Sequence, residues 1–188
     1  MGVGSHFEEM CDAAMEVIRD RICADADDNL IDALLYVIAR DNECETVAGE
    51  LAKHKDWFDL LSKRSLGSVY VNAQWQLAKR LPSCVGCDKE LIFEFIRSDN
   101  EYVSRISLMA LAELFPEKAE AYAIDFWNRG IYDEGSYEDE YQKIMVLHVL
   151  NKVHSPALAG YLDKAAVSGF RYLKENAEQI KEQLSREA

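Results

Sequence analysis

The chain has 188 residues, 49% of them hydrophobic and 29% charged, the balance of a globular protein with a core of its own. Its 34 acids against 21 bases give a formal net charge of −13, which repels phosphate backbones and anionic membranes and so disfavours nucleic acid or a membrane as direct partner. The opening MGVGSHF carries no basic and apolar targeting pattern, Gly2 lacks the downstream Ser or Thr of a myristoylation signal, and no apolar run approaches the ~18 residues of a membrane span. Five cysteines, an odd count, fit a reducing compartment, and the expected location is cytoplasmic.

In chain order, Ser5 and Glu8 form a capping box for a first helix whose apolar face is Phe7, Met10, Ala14, Ile18 and Ile22. A second helix follows the acidic ADADDN, capped by Asp28 or Asn29 and carrying Ile31, Leu34, Leu35 and Ile38 as its stripe. Residues 42–63 read as one bent helix or two, with Trp57, Phe58, Leu60 and Leu61 to bury. Further helices are predicted near 68–81, 88–97, 101–114, 117–129, 137–153, 156–167 and 170–186, with Ser155 and Pro156 as an N-cap pair and Gly130 and Gly169 at helix ends. Three prolines and the scarcity of alternating β-branched runs speak for helix throughout. Acid is uneven: residues 1–50 hold thirteen acids and three bases, while residues 51–130 are balanced.

Repetition is the most informative pattern. WQLAKRLP at 75–82 matches MALAELFP at 109–116, pairing Leu77 with Leu111, Ala78 with Ala112 and Pro82 with Pro116 at an offset of 34. A third copy, YQKIMVLHVLNKV at 141–153, lies about 38 residues further on, and each copy is followed by a second apolar helix (LIFEFI, AYAIDFW, LAGYL). Helix pairs at this period bury their faces by stacking on their neighbours, as in an α-solenoid.

Over residues 65–167 the chain resembles the HEAT-repeat family, through VSRISLMALAEL and its Val103, Arg105, Leu108, Ala110 and Leu111. The first copy departs from that pattern, with Val71 opposite Arg105. The resemblance implies an all-α fold, an α-α superhelix built from HEAT-like helix pairs. Residues 1–64 would supply the first helices and a degenerate pair, and 168–188 a capping helix, all in one solenoid domain. It also implies a class of function: such repeats are scaffolds for proteins or peptides, and a minority are DNA glycosylases or chromophore lyases.

The side chains that carry chemistry are few. Cys84 and Cys87 make a CxxC in the turn of the first clear repeat, and with no second pair to complete a four-ligand zinc site a structural turn is expected, with redox or regulatory thiols and then a metal role as the alternatives. His6, His54, His148 and His154 show no paired ligand spacing. Glu50 and His54 are four apart on a helix, as surface pairs commonly are, and His148 reads as a partly buried, satisfied imidazole. Trp57, Trp75 and Trp127 sit among apolar neighbours at helical spacing and are expected in the core rather than as wedges into a nucleic acid. No catalytic, cofactor-binding or metal-ligating residue is assigned.

The segment IYDEGSYEDEYQK, residues 131–143, remains. Its acids lack the alternate spacing of a calcium loop. Ser136 and Asp139 can form a capping box, and Glu138, Asp139 and Glu140 suit a helix amino terminus. Asp133 and Glu134, flanked by Tyr132 and Tyr137, combine aromatic area with charge suited to Arg- or Lys-rich surfaces. The expected partner-binding residues are therefore Tyr132, Asp133, Glu134, Tyr137, Glu138, Asp139 and Glu140. The expected activity is non-enzymatic binding of a basic protein, most concretely by an immunity or antitoxin protein that neutralises a cationic nuclease toxin; the alternatives are a scaffold subunit of a bacterial complex, or a HEAT-like DNA glycosylase or chromophore lyase.

Overall fold

The structure, a computed structural model, describes residues 3–187 and the side chains of 6–186. Among these residues there are eleven α-helices, three short 3-10 turns and no strand, so the protein is all-α. The chain divides into two compact units, the first reaching Ala110 and the second beginning at Leu111.

In the first unit α1 (Val3–Asp20) starts upstream of the expected cap, placing Ser5 within its first turn; the side chain of Ser5, like Gly2, lies outside the described residues. Cys11, Ala14 and Ile18 are its buried stripe. The helix stops at Asp20, so Ile22, expected on that stripe, is exposed in the loop beyond. α2 (Asp28–Arg40) is capped by Asp27, whose carboxylate accepts from Leu30 N at 2.8 Å; Asp28 and Asn29 are already helical. Its stripe is buried as the spacing predicts.

The ambiguous stretch resolves into two helices, α3 (Thr46–Leu51) and α4 (Lys55–Ser65). Asp41, itself buried, makes the break workable: its carboxylate accepts from Val47 N at 2.8 Å and satisfies a donor at the start of α3. Trp57 and Phe58 of α4 are buried, and the Trp57 indole donates to Arg21 O at 2.9 Å.

α5 (Val71–Arg80) is buried on every side from Ala73 to Ala78, including two glutamines. Their amides are satisfied by carbonyls at helix ends: Gln76 Nε2 donates to Ile38 O in the last turn of α2 at 2.7 Å, and Gln74 Nε2 to Ser65 O at the end of α4 at 2.9 Å. The predicted helix at 88–97 is shorter: a 3-10 turn at Lys89–Leu91 precedes α6 (Ile92–Phe95). Asp88 caps that turn by accepting from Glu90 N. α7 (Glu101–Leu114) has the predicted bounds, and Asn100 Oδ1 accepts from Val103 N at its start.

The second unit contains α8 (Pro116–Asn128), α9 (Tyr137–Lys152), α10 (Leu158–Ala166) and α11 (Arg171–Glu187), with α9 packed against the other three and α10 against α11. Val146, Leu147, Leu150, Leu162, Leu173 and Ile180 form its centre. The glutamine device recurs: Gln142 Nε2 on α9 donates to Phe126 O in the last turn of α8 at 2.6 Å. A serine turn also recurs before four helices, with Ser68, Ser98, Ser155 and Ser168 each accepting from the N–H two residues on, at 3.0–3.3 Å, ahead of α5, α7, α10 and α11.

Candidate functional site

The acidic loop runs from the end of α8 into α9. Gly130 leaves α8 at φ +57° and Gly135 turns the chain at φ +94°, both in the left-handed region that glycine occupies without strain. Ser136 caps α9, its hydroxyl accepting from Asp139 N at 3.2 Å, and Ser136 N donates to Asp133 O at 3.0 Å. The loop is thus pinned where it enters the helix.

Its other end is fixed by Arg129. The guanidinium lies 3.6 Å from the Phe126 ring centroid and donates through Nε and Nη2 to Gln142 Oε1, with the Tyr132 ring 5.9 Å away. Tyr132 is accordingly half-buried rather than presented outwards.

The three consecutive acids of the first turn of α9 go separate ways. Glu138 is exposed. Asp139 is buried and pairs with Lys143 at 2.7 Å, while Lys143 also lies over the Phe170 ring. Glu140 is buried and its carboxylate accepts from Leu173 N at 3.0 Å. Leu173 is the third residue of α11, and Phe170 just before that helix has no side-chain acceptor, so Glu140 supplies the missing cap from α9. Asp133, Glu134 and Tyr137 are exposed, and Tyr137, at 70% exposure, stacks on Tyr141 with ring centroids 6.3 Å apart. Of the seven residues expected to meet a partner, four therefore present their side chains outwards (Asp133, Glu134, Tyr137 and Glu138), and Asp139 and Glu140 are spent within the unit. Position on the helix, α9 against α11, separates these acids, and nothing local in the sequence distinguishes them.

The remaining candidates have ordinary partners. Glu50 gathers Arg19 and Lys53 at 2.8 Å each and the His54 ring at 3.4 Å. The hydrogen bond from Arg19 first, then that from Lys53, holds its carboxyl well below the usual carboxylate range. His148 is half-buried and bonds Asn176 Oδ1 through Nε2 at 3.0 Å. Trp75 is buried edge-on to Tyr102, and Trp127 is half-buried edge-on to Tyr161. Among the described residues no three His, Cys, Asp or Glu side chains converge as metal ligands, and no helix is long and apolar enough to cross a membrane.

The acids dense in the amino-terminal third divide similarly. Glu8, Asp12 and Glu16 are exposed at one-turn intervals along α1, whereas Asp41, Glu45 and Glu50 turn inwards, Glu45 meeting Lys79 at 2.6 Å and Arg80 at 3.1 Å. Sequence reasoning did not single out Glu45; its signal is the non-glycine φ of +53°, visible only in the structure.

Comparison with family models, curated proteins and solved structures finds no match to this chain. Fold and site together define an all-helical protein whose second unit carries a braced loop of exposed carboxylates and a stacked tyrosine pair.

Proposed function

We propose that the protein is a non-enzymatic binder of a basic protein, built as an α-solenoid of HEAT-like helix pairs. The reading is supported by the recurrence of the same local devices along the chain, the serine turns ahead of several helices and the glutamines that reach carbonyls at helix ends. The observation that carries the binding role is the outward set Asp133, Glu134, Tyr137 and Glu138 on a loop braced at Arg129 and Ser136. Bracing lowers the ordering cost of binding, and a carboxylate beside a tyrosine ring offers both a charge-assisted hydrogen bond and a cation–π surface to Arg or Lys. With a net charge of −13, long-range attraction accelerates capture of a cationic partner. The most concrete form is an immunity or antitoxin protein that masks a basic nuclease toxin in the cytoplasm.

Affinity purification from the native host, followed by a titration of the recovered partner against salt, tests this. One basic protein is expected, with affinity falling as salt rises and falling at least ~tenfold on replacing Asp133→Lys together with Glu134→Lys. Unchanged affinity in that variant overturns docking through the loop, and recovery of an acidic partner overturns the electrostatic reading altogether.

A further inference from the structure

The CxxC lies in the turn between α5 and α6, where Cys84 and Cys87 are joined as a disulfide with Cα atoms 5.7 Å apart. Gly86 makes the turn at φ +74°, a backbone conformation that a side chain at this position would oppose. Cys84 is fully enclosed and Cys87 is 7% exposed, yet Val85 between them is 89% exposed, so an otherwise buried bond sits one residue from solvent.

Both flanks of the turn are anchored independently of the sulfurs. Lys89 Nζ donates to Leu81 O and Cys84 O at 2.5 Å each and to Pro82 O at 3.3 Å. Asp88 N donates to Asp59 Oδ1 on α4 at 2.9 Å, and Lys63 approaches Asp88 at 3.7 Å. Lys55, also on α4, pairs with Asp59 at 2.9 Å and lays its stem along Gly86, its Cδ 3.6 Å from where a Cβ would stand. These anchors hold the two cysteines facing each other through contacts that do not run through the sulfurs. Preorganisation of this kind raises the effective concentration of one thiol at the other and makes closing and reopening local events. The anchors leave Val85 and Gly86 as the part of the turn constrained chiefly by the sulfur bridge.

We propose that Cys84 and Cys87 form a reversible redox lock on this turn, opened by an external dithiol and closed again when that dithiol's disulfide form predominates. A thiolate of the dithiol attacks the Sγ of Cys87, the less enclosed of the two residues; the Cys84–Cys87 bond breaks and its electron pair goes to Cys84 Sγ, which takes a proton from solvent. The second thiol of the reductant, as thiolate, then attacks its own sulfur in the mixed disulfide and displaces Cys87, which is protonated in turn. Two electrons and two protons pass to the protein, and the reductant leaves as its cyclic disulfide.

The full-length protein is equilibrated in dithiothreitol buffers of graded reduced-to-oxidised ratio, quenched in acid, and alkylated after denaturation. Peptide mass spectrometry should show Cys84 and Cys87 passing together from unlabelled to labelled in one transition that retraces itself on reoxidation. Cys11, Cys23 and Cys44, free in the structure, should label throughout. Amide exchange across residues 85–87 should be at least ~tenfold faster on the reduced side, with the Asp88 amide, held by Asp59, unchanged. A pair that labels at every ratio, a pair that never labels, or exchange indifferent to the transition overturns the proposal. The Cys84→Ala, Cys87→Ala variant should exchange like the reduced protein in both buffers; redox-dependent exchange surviving in it assigns the effect to another cysteine and also overturns the lock. The labelling transition of the unaltered protein decides the question even where the double variant fails to fold.

Discussion

Glu140→Ala removes the acceptor that α9 lends to the start of α11. Leu173, whose N–H it receives at 3.0 Å, is fully buried, so water cannot replace the lost bond. An unsatisfied buried donor costs about 1–3 kcal/mol, and loss of an N-cap acceptor falls in the same range; the two describe one interaction and are not added. The expected destabilisation is about 2 kcal/mol, or a fall in Tm of roughly 4–8 °C for a chain of this size. Glu140→Gln keeps an oxygen that can accept from Leu173 N and loses only the favourable charge at the helix amino terminus, a loss of about 0.3–1 kcal/mol. Urea unfolding of the two variants, with amide exchange read over residues 171–175, measures both. The reasoning is refuted if the alanine variant lies within about 0.3 kcal/mol of the unaltered protein. It is refuted equally if the glutamine variant is as damaged as the alanine one, since charge rather than the hydrogen bond would then be the cause.

Three further outcomes are expected. Arg19 and then Lys53 hold the Glu50 carboxyl below its ordinary value of 4.5, so the folded state binds that proton less readily than the unfolded chain; the stability Glu50 contributes is complete above 4.5 and is lost as pH falls through the lower folded value. The stability gap between the unaltered protein and Glu50→Gln, measured by urea unfolding at a series of pH values, should therefore be constant at neutral pH and shrink progressively in acid. Gly86→Ala places a side chain at φ +74° with only ordinary contact to Lys55, so backbone strain alone should destabilise by about 1–2 kcal/mol in the same assay. Burial first, and the nearby Asp41 second, push the Cys11 thiol up to about 11, so iodoacetamide should label exposed Cys44 well before Cys11 at neutral pH, and denaturation should abolish the difference.

How far the sequence reaches is clearest where two stretches look alike. Residues 101–114 and 137–152 combine helical spacing with a local cap, Asn100 in one case and Ser136 in the other, and their helices begin just after those residues. Residues 88–97 have comparable apolar content, yet their first turn tightens to 3-10 geometry, with the Asp88 carboxylate turned to Glu90 N and the Lys89 ammonium drawn to carbonyls five to eight residues earlier. The apolar face of α1 departs from its spacing at two positions: Met10 lies within the helix and is exposed, and Ile22 falls beyond its end, since periodicity does not say where a helix stops.

The sequence by itself determined that the chain is helical, because apolar spacing, capping residues and the scarcity of β-branched alternation are local properties written along it. It also determined the acidity and the concentration of carboxylates in one loop, which depend on composition alone. Only the tertiary structure decided what each carboxylate does. Glu138, Asp139 and Glu140 are neighbours of one chemistry, but successive residues of a helix point about 100° apart. One consequently faces solvent, one pairs with Lys143, and one caps a helix that begins 31 residues later. The same holds for Cys84 and Cys87, whose pairing depends on contacts from α4 and Lys89 that no spacing rule contains.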